Sequence, residues 1–393
     1  MDFDDSPREA AFRAAARDWL EANAKLRPVE PVTGAQDDVD RHVDECKRWQ
    51  RTLYEGGWAG LTWPAEYGGR GATAIESAIF AQEQSRFDVA TGIFAVGIGM
   101  VGPTLIAHGT PAQKRRFLDP LLRGDEVWCQ LFSEPGAGSD LAGLATRAVP
   151  DGEEWVVNGQ KVWTSGAHYS DWAILLARTD PAAPKHRGIT YFLVDMRTPG
   201  IDVRPLRQIN GAAHFNEVFL TDVRIPADQV VGEVNGGWGP TLTTLANERT
   251  FIGGGAGVGW RDIEALGRGC GDPRLRQDLA AAYTRWEVMR FLGLRVQTAL
   301  SQGRPPGPES SILKLFYSQH LSRTADLALT LQGMGDGPWT NYFLTQWAAR
   351  IGGGTDQIQR NIIGERVLGL PAEPRVDKQV PFNQLGREPG ARG

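Results

Sequence analysis

Three stretches of this chain combine residue types that could do chemistry. The first runs from Gln130 through Phe132 to Asp140, and its core reads Ser133-Glu134-Pro135-Gly136-Ala137-Gly138-Ser139-Asp140. Pro135 and Gly136 make a turn, and Gly138 lets backbone approach a ligand closely. Backbone N–H groups exposed in such a turn can cradle a phosphate, and Ser133 and Ser139 add hydroxyls. The second stretch is Trp163-Thr164-Ser165. A flat redox cofactor needs an aromatic wall on one face and a polar group near its reactive edge. Trp163 can supply the wall and Ser165 the hydrogen bond. The third is Gly352-Gly353-Gly354-Thr355-Asp356-Gln357-Ile358-Gln359-Arg360. Consecutive glycines leave a bare backbone, suited to contact with a thioester or a phosphate. Taken singly, each stretch also has a plain reading: a polar loop, one of 13 tryptophans in a strand core, a glycine hinge between helices.

These segments need elements to position them. Residues 1 to about 125 read as helical, with Phe12, Ala16, Trp19 and Leu20, and later Trp49 and Leu53, at helical spacing. Thr110-Pro111-Ala112-Gln113 is a helix start with a capping box, and Gly124 offers the stop. From 126 to 233 the period shortens. Trp172–Ala177, Thr190–Val194, Ile201–Leu206 and Glu217–Val223 are short runs rich in strand formers, punctuated by Asp151-Gly152, Asn158-Gly159, Thr198-Pro199-Gly200 and Asn210-Gly211. Their hairpin-like spacing predicts an antiparallel β-domain rather than alternating βαβ units. From about 234 the helical signature returns, with long helices expected over Leu279–Ala299 and Ile312–Leu331. The tail after Pro371 is rich in proline and charge and is expected to wrap or fray. The fold class is therefore α+β, with a helical domain at 1–125, a central antiparallel β-domain at 126–233 and a helical domain at 234–393.

Composition narrows the function classes. With 393 residues and a formal net charge of -5 there is ample core, and no basic stripe for nucleic acid. The first residues are acidic and polar, unlike a secretory signal. The apolar run Ile93–Leu105 is too short and too glycine-rich for a membrane span. Cys46, Cys129 and Cys270 lie far apart, and six histidines form no HxxxH or HExxH pair. Metal is not expected. A sparse, odd cysteine count fits a reducing cytoplasm. The cluster Gly253–Gly259 never completes GxGxxG and lacks a preceding strand, so it reads as close helix packing.

Together the three stretches resemble the acyl-CoA dehydrogenase family, and the likeness extends over almost the whole chain, including Gly57–Gly71 and Asn361–Pro371. The resemblance implies a C-terminal four-helix bundle and bound FAD. It places Gln130, Phe132, Ser133, Gly138, Ser139, Trp163, Ser165, Gln332, Gly335, Thr355 and Gln357 against the cofactor. Ser133 would bond the flavin N5 edge and Ser139 would lie near the pyrophosphate. Ser139, Arg249 and Gly353 would touch an acyl-CoA substrate, the Gly353 amide bonding the thioester carbonyl. The implied partners are an acyl-CoA and an electron-transfer flavoprotein, in a homotetramer, heterotetramer or dimer.

Two departures matter. Many members carry the catalytic glutamate where this chain has Gly353. Others carry it on an earlier helix before an arginine, and here that position reads Asn247-Glu248-Arg249-Thr250. Glu248 therefore resembles the alternative base, with Arg249 supporting it; the plain reading is a solvated helix residue. Glu134 reads as structural within its loop. Second, an Arg-x-x-Phe-Gly stretch that reaches a neighbouring subunit's cofactor is missing at Leu266–Pro273, and Asp336 replaces a common glycine after Gln332 and Gly335. These changes are compatible with a heteromeric assembly. Three readings stay open: an acyl-CoA dehydrogenase, a flavin monooxygenase or oxidase on the same scaffold, and a non-catalytic partner subunit.

Overall fold

The computed structural model describes residues 5–27, 39–253, 260–302, 304, 307–308, 310–333, 335, 337–374 and 377–385; the side chains at 249–253, 261, 300, 301 and 338 lie outside that description. The chain divides into two compact units. One takes in Met1–Thr91 and Arg249–Pro371, the other Gly92–Glu248 and Ala372–Gly393.

In the first unit, helices α1 (Pro7–Asn23), α2 (Val39–Glu55) and α3 (Ala74–Gln84) are built from strong local signals. Ser6 with Glu9 and Thr73 with Glu76 form reciprocal capping boxes, which satisfy donors a helix start otherwise leaves open. Glu83 of α3 is the electrostatic hub. Its buried carboxylate takes bonds from Arg13 at 3.1 Å, Arg17 at 3.0 Å and Arg86 at 2.9 Å. Trp19 packs at a tilt against both Trp49 and Trp58, and Trp58 stacks on Phe80.

The rest of this unit is helical: α7 (Trp260–Gly267), α8 (Pro273–Ser301), α9 (Ser310–Gln332), α10 (Pro338–Thr345) and α11 (Asp356–Ile362), which follow α6 of the second unit in the chain. The two long helices α8 and α9 contain the spans expected from the sequence. Ile263, Ala282, Leu327, Ala328 and Trp339 form a shared apolar core.

The second unit opens with α4 (Gly102–His108) and α5 (Pro111–Arg123). The start of α5 is the one its sequence announces: Thr110 and Gln113 cap each other, Pro111 takes the first turn, and Gly124 closes the helix at φ 77°. The Gln113 amide also donates to the carbonyls of Asp228 and Val230 at 2.7 and 2.9 Å, pinning the helix to the chain beyond the sheet.

The strands are β1 (Trp128–Leu131), β2 (Arg147–Asp151), β3 (Glu154–Ser165), β4 (Trp172–Arg178), β5 (Ile189–Asp195), β6 (Ile201–Leu206) and β7 (Phe215–Pro226). Among the described residues they form one seven-stranded sheet in the order β1-β4-β2-β3-β7-β6, with β5 on β4. Pairing is mostly antiparallel, as expected, but β1 runs parallel to β4, and β2 touches β4 in parallel at Arg147–Arg178. Those two pairings join strands well apart in sequence, so no hairpin signal marks them. Leu175, Phe192, Val194, Val218 and Val223 fill the core. Helix α6 (Trp238–Gly253) follows. Among the described residues no helix is long and apolar enough to cross a membrane, and no cluster of side chains could hold a metal.

Candidate active site

The loop after β1 is a tight turn. Glu134 and Ala137 exchange backbone bonds of 3.0 Å in both directions, which puts Pro135 and Gly136 at the tip. Two observations point away from a merely structural loop. Gly138 and Ser139 are exposed. A Cβ built on Gly136 or Gly138 would meet nothing of the described chain within 4 Å, and neither residue has the backbone angle that demands glycine. Their bareness is therefore not required by the chain's own packing, and it leaves room for a ligand against the backbone.

Ser133 is half-buried, and its carbonyl accepts from Val162 N at 2.9 Å. That bond sets the loop beside the end of β3, one residue from Trp163. At this point β3 carries a bulge: Lys161 pairs with Val218 and Thr164 with Asn216, so three steps on β3 oppose two on β7. Trp163 sits in the bulge at φ 63° and is 63% exposed. A non-glycine residue held in the left-handed region costs roughly 1–2 kcal/mol, and such strain gathers at ligand sites. Asn216 holds the arrangement from behind, donating to Thr164 O at 2.9 Å and bonding His168 Nδ1 at 3.1 Å. Ser165 follows, exposed, in register with Phe215. A strained, solvent-facing indole beside a bare, hydroxyl-bearing loop fits a planar cofactor carrying phosphates.

Phe132 and Gln130 stand behind this surface. The Phe132 ring is buried edge-on to Tyr191 at 6.0 Å, and its carbonyl accepts from Lys161 Nζ at 3.0 Å. Gln130 is half-buried on β1, opposite Ile174. Helix α6 joins the same framework. Thr244 is fully buried, and its hydroxyl bonds Tyr191 OH at 3.1 Å and Thr104 Oγ1 at 2.9 Å. Glu248 lies four residues on, so it shares the helix face that Thr244 turns toward Tyr191 and Thr104. Glu248 is half-buried.

In the other unit, Gly353 and Gly354 have φ of 65° and 86°. Both are in the left-handed region, which side chains rarely adopt. Gln359, not singled out in the sequence, fixes this turn. Its amide donates to the carbonyls of Gly353 and Gly354 at 3.1 and 3.3 Å. Thr355 caps α11, accepting from Ile358 N at 3.2 Å, and Gln357 is exposed beside it. Asp356 is 1% exposed and anchors the segment through Ser318 at 2.6 Å and Arg350 at 3.0 Å.

Gln332 and Gly335 form a separate corner at the end of α9. The Gln332 side chain is committed there, accepting from Trp339 N at 3.1 Å and donating to Thr340 Oγ1 at 3.2 Å. The side chain of Arg249, together with Gly254–Gly259, Met334 and Asp336, lies outside the described residues. Gln130, Phe132, Ser133, Gly138, Ser139, Trp163, Ser165 and Glu248 all lie in one unit. Gly353, Thr355 and Gln357 are gathered in the other.

Comparison with known families gives this geometry a class. The acyl-CoA dehydrogenase N-terminal, middle and C-terminal domain models match residues 6–125, 129–223 and 235–368. The acyl-CoA dehydrogenase IpdE1 of Mycobacterium tuberculosis is 39% identical over 381 residues, covering 93% of this chain and 98% of that protein. The acyl-CoA dehydrogenase FadE34 of the same organism is 44% identical over 88% of this chain, and the match spans 49% of that longer protein. Among solved structures, the Tcur3481-Tcur3483 steroid acyl-CoA dehydrogenase superposes with a TM-score of 0.80 at 30% identity, covering 95% of this chain and 100% of that one. A subunit of the ChsE4-ChsE5 complex from Mycobacterium tuberculosis gives 0.77 at 28% identity, over 94% and 100% of the two chains. The chain belongs to the acyl-CoA dehydrogenase family, and is by that membership a flavin-dependent oxidoreductase.

Proposed function

We propose that the chain binds FAD and oxidises the Cα–Cβ bond of an acyl-CoA thioester, with Glu248 as the base that takes the α proton. The observation that carries this reading is the placement of Glu248. It sits one helical turn from Thr244, whose hydroxyl meets Tyr191, whose ring in turn packs on Phe132 beside Ser133. By helical spacing a carboxylate there shares with Thr244 the side of α6 that meets Tyr191, while Gly353 can offer only a backbone N–H.

Bound FAD would supply the acceptor for the β hydrogen and its electron pair. Trp163 would offer a wall for the ring system, and Ser133 and Ser165 would offer it hydroxyls. Gly138 and Ser139 would hold the phosphates. The reaction also needs the thioester carbonyl polarised, so that negative charge developing there is tolerated as the α proton leaves. Family membership supports an electron-transfer flavoprotein as the acceptor of the electrons and a cytoplasmic location. The likeness to a steroid acyl-CoA dehydrogenase and to the ChsE4-ChsE5 complex favours a bulky polycyclic acyl group and a heteromeric assembly. The absence of Arg-x-x-Phe-Gly at Leu266–Pro273 agrees with that assembly.

The test is anaerobic. Purified protein is mixed with straight-chain, branched and steroid-type acyl-CoAs while flavin bleaching is followed. Bleaching by the steroid class, lowered roughly 10²–10⁴-fold in Glu248→Gln with FAD retained, is the expected result. Wild-type bleaching rates in Glu248→Gln would remove Glu248 as base.

A further inference from the structure

The end of the cofactor loop is held by a part of the chain more than 200 residues away. Lys185, in the connection between β4 and β5, donates to both carboxylate oxygens of Asp140 at 3.0 and 2.9 Å, and to Asp377 at 2.6 Å. Its side chain is 11% exposed, against 62% for Asp140 and 40% for Asp377. The segment 377–385 lies along this connection. Phe382 N donates to Ala183 O and Asn383 N to Pro181 O, both at 2.9 Å. The Phe382 ring covers Arg178, whose guanidinium carbon lies 3.9 Å from the ring centre. Arg178 in turn grips the chain after the loop, donating to Ala142 O at 2.6 Å and Leu144 O at 3.1 Å, and it donates to Lys185 O at 2.7 Å.

The chemistry of Asp140 makes this arrangement more than a structural clip. Asp140 follows Ser139 directly, so its negative charge sits beside the place assigned to the cofactor's phosphates. A free carboxylate there repels a phosphate. Lys185 cancels that charge and fixes its position, while Asp377 keeps Lys185 from turning away. We propose that Lys185, held by Asp377, is a positioning residue for the cofactor: it neutralises Asp140 at the phosphate end of the loop. The inference rests on the FAD-binding reading above.

The experiment is FAD titration of the full-length apoprotein, followed by flavin fluorescence at low and high ionic strength. Thermal melting of each apoprotein serves as the check on folding. Lys185→Met is expected to weaken FAD binding roughly tenfold at low salt, after discounting the charge repulsion for the exposure of Asp140. The gap narrows as salt screens the repulsion. Asp140→Asn added to Lys185→Met restores most of the affinity, and Asp377→Asn alone weakens binding in the same direction but less. A purely structural role gives a lower apoprotein melting temperature, no salt-dependent loss and no rescue, and would overturn the assignment. Equal FAD affinity in wild type and Lys185→Met overturns it too, and leaves the proposed function standing. A wild-type protein that takes up no FAD overturns both.

Discussion

Lys161 Nζ lies 2.7 Å from the Glu134 carboxylate, and both side chains are buried, at 0% and 8% exposure. Glu134 also accepts from the amides of Ala145 and Thr146, at 2.7 and 2.9 Å, while Lys161 donates to Phe132 O. Burial pushes the Lys161 ammonium down to about 8 even with a carboxylate beside it. Burial opposes ionisation of Glu134 as well, yet Lys161 and the two amides hold its carboxyl below the usual range. With the Val162 N–Ser133 O bond, this pair joins the loop after β1 to β3, and it gives Glu134 a structural role.

Lys161→Met removes the partner of a buried carboxylate. It should cost about 3–5 kcal/mol of stability, since an uncompensated buried charge remains. Adding Glu134→Gln should recover part of that loss, because the charge goes while the amide bonds keep an acceptor. Urea midpoints of the two single variants and the double variant check this; additive losses would argue against the coupling.

The strain at Trp163 gives a second expectation. Alanine at φ 63° keeps the penalty and glycine escapes it, so Trp163→Gly should be about 1 kcal/mol more stable than Trp163→Ala as apoprotein. Both variants lose the stacking wall and should bind FAD about tenfold more weakly. Equal stability of the two would mean the bulge relaxes once the indole is gone.

Stability should fall on acidification in two windows. Burial lowers His320 from 6.5 to about 4, with the nearby Arg285 charge adding to the effect. Arg17, Arg13 and Arg86 lower Glu83 from 4.5 to about 2. In each case the unfolded chain binds the proton at a higher pH than the folded one. Stability therefore drops as pH falls from 6.5 to 4 through His320, and again from 4.5 to 2 through Glu83, each by at most about 1.4 kcal/mol per pH unit. Urea midpoints across pH should show a flatter upper window in His320→Gln. Glu83→Gln should flatten the lower one, with a lower baseline at pH 7.

A glutamate placed at Gly353 tests the shifted base from the other side. The backbone there, at φ 65°, charges any side chain roughly 1 kcal/mol of strain. Gly353→Glu in the Glu248→Gln background should therefore recover bleaching only in part. Full recovery would show that the turn accommodates a side chain freely.

Local signals made much of this molecule legible. The cap of α5 and the span of α8 and α9 follow from spacing and turn chemistry, and the buried runs of β4 and β5 from their apolar composition. The three motif segments could be found because their residues are contiguous. What holds them could not. Glu134 and Lys161 are 27 residues apart, His168 and Asn216 are 48 apart, and Lys185 and Asp377 are 192 apart. Each is an ordinary polar residue until the fold brings its partner near. The parallel pairing of β1 with β4 escaped for the same reason, since register between distant strands leaves no mark in either.

The bulge in β3 stores its information in a count. In a regular strand, residues 161 and 163 face the same way. Here Lys161 is fully buried and Trp163 points outward, because one extra residue turns the alternation over between them. Deleting a single residue between Lys161 and Thr164 would return the strand to regular pleating and put an indole and an ammonium in competition for the same side. Chain length at this point therefore sets which way the indole faces, and a related chain one residue shorter here would turn that side chain inward.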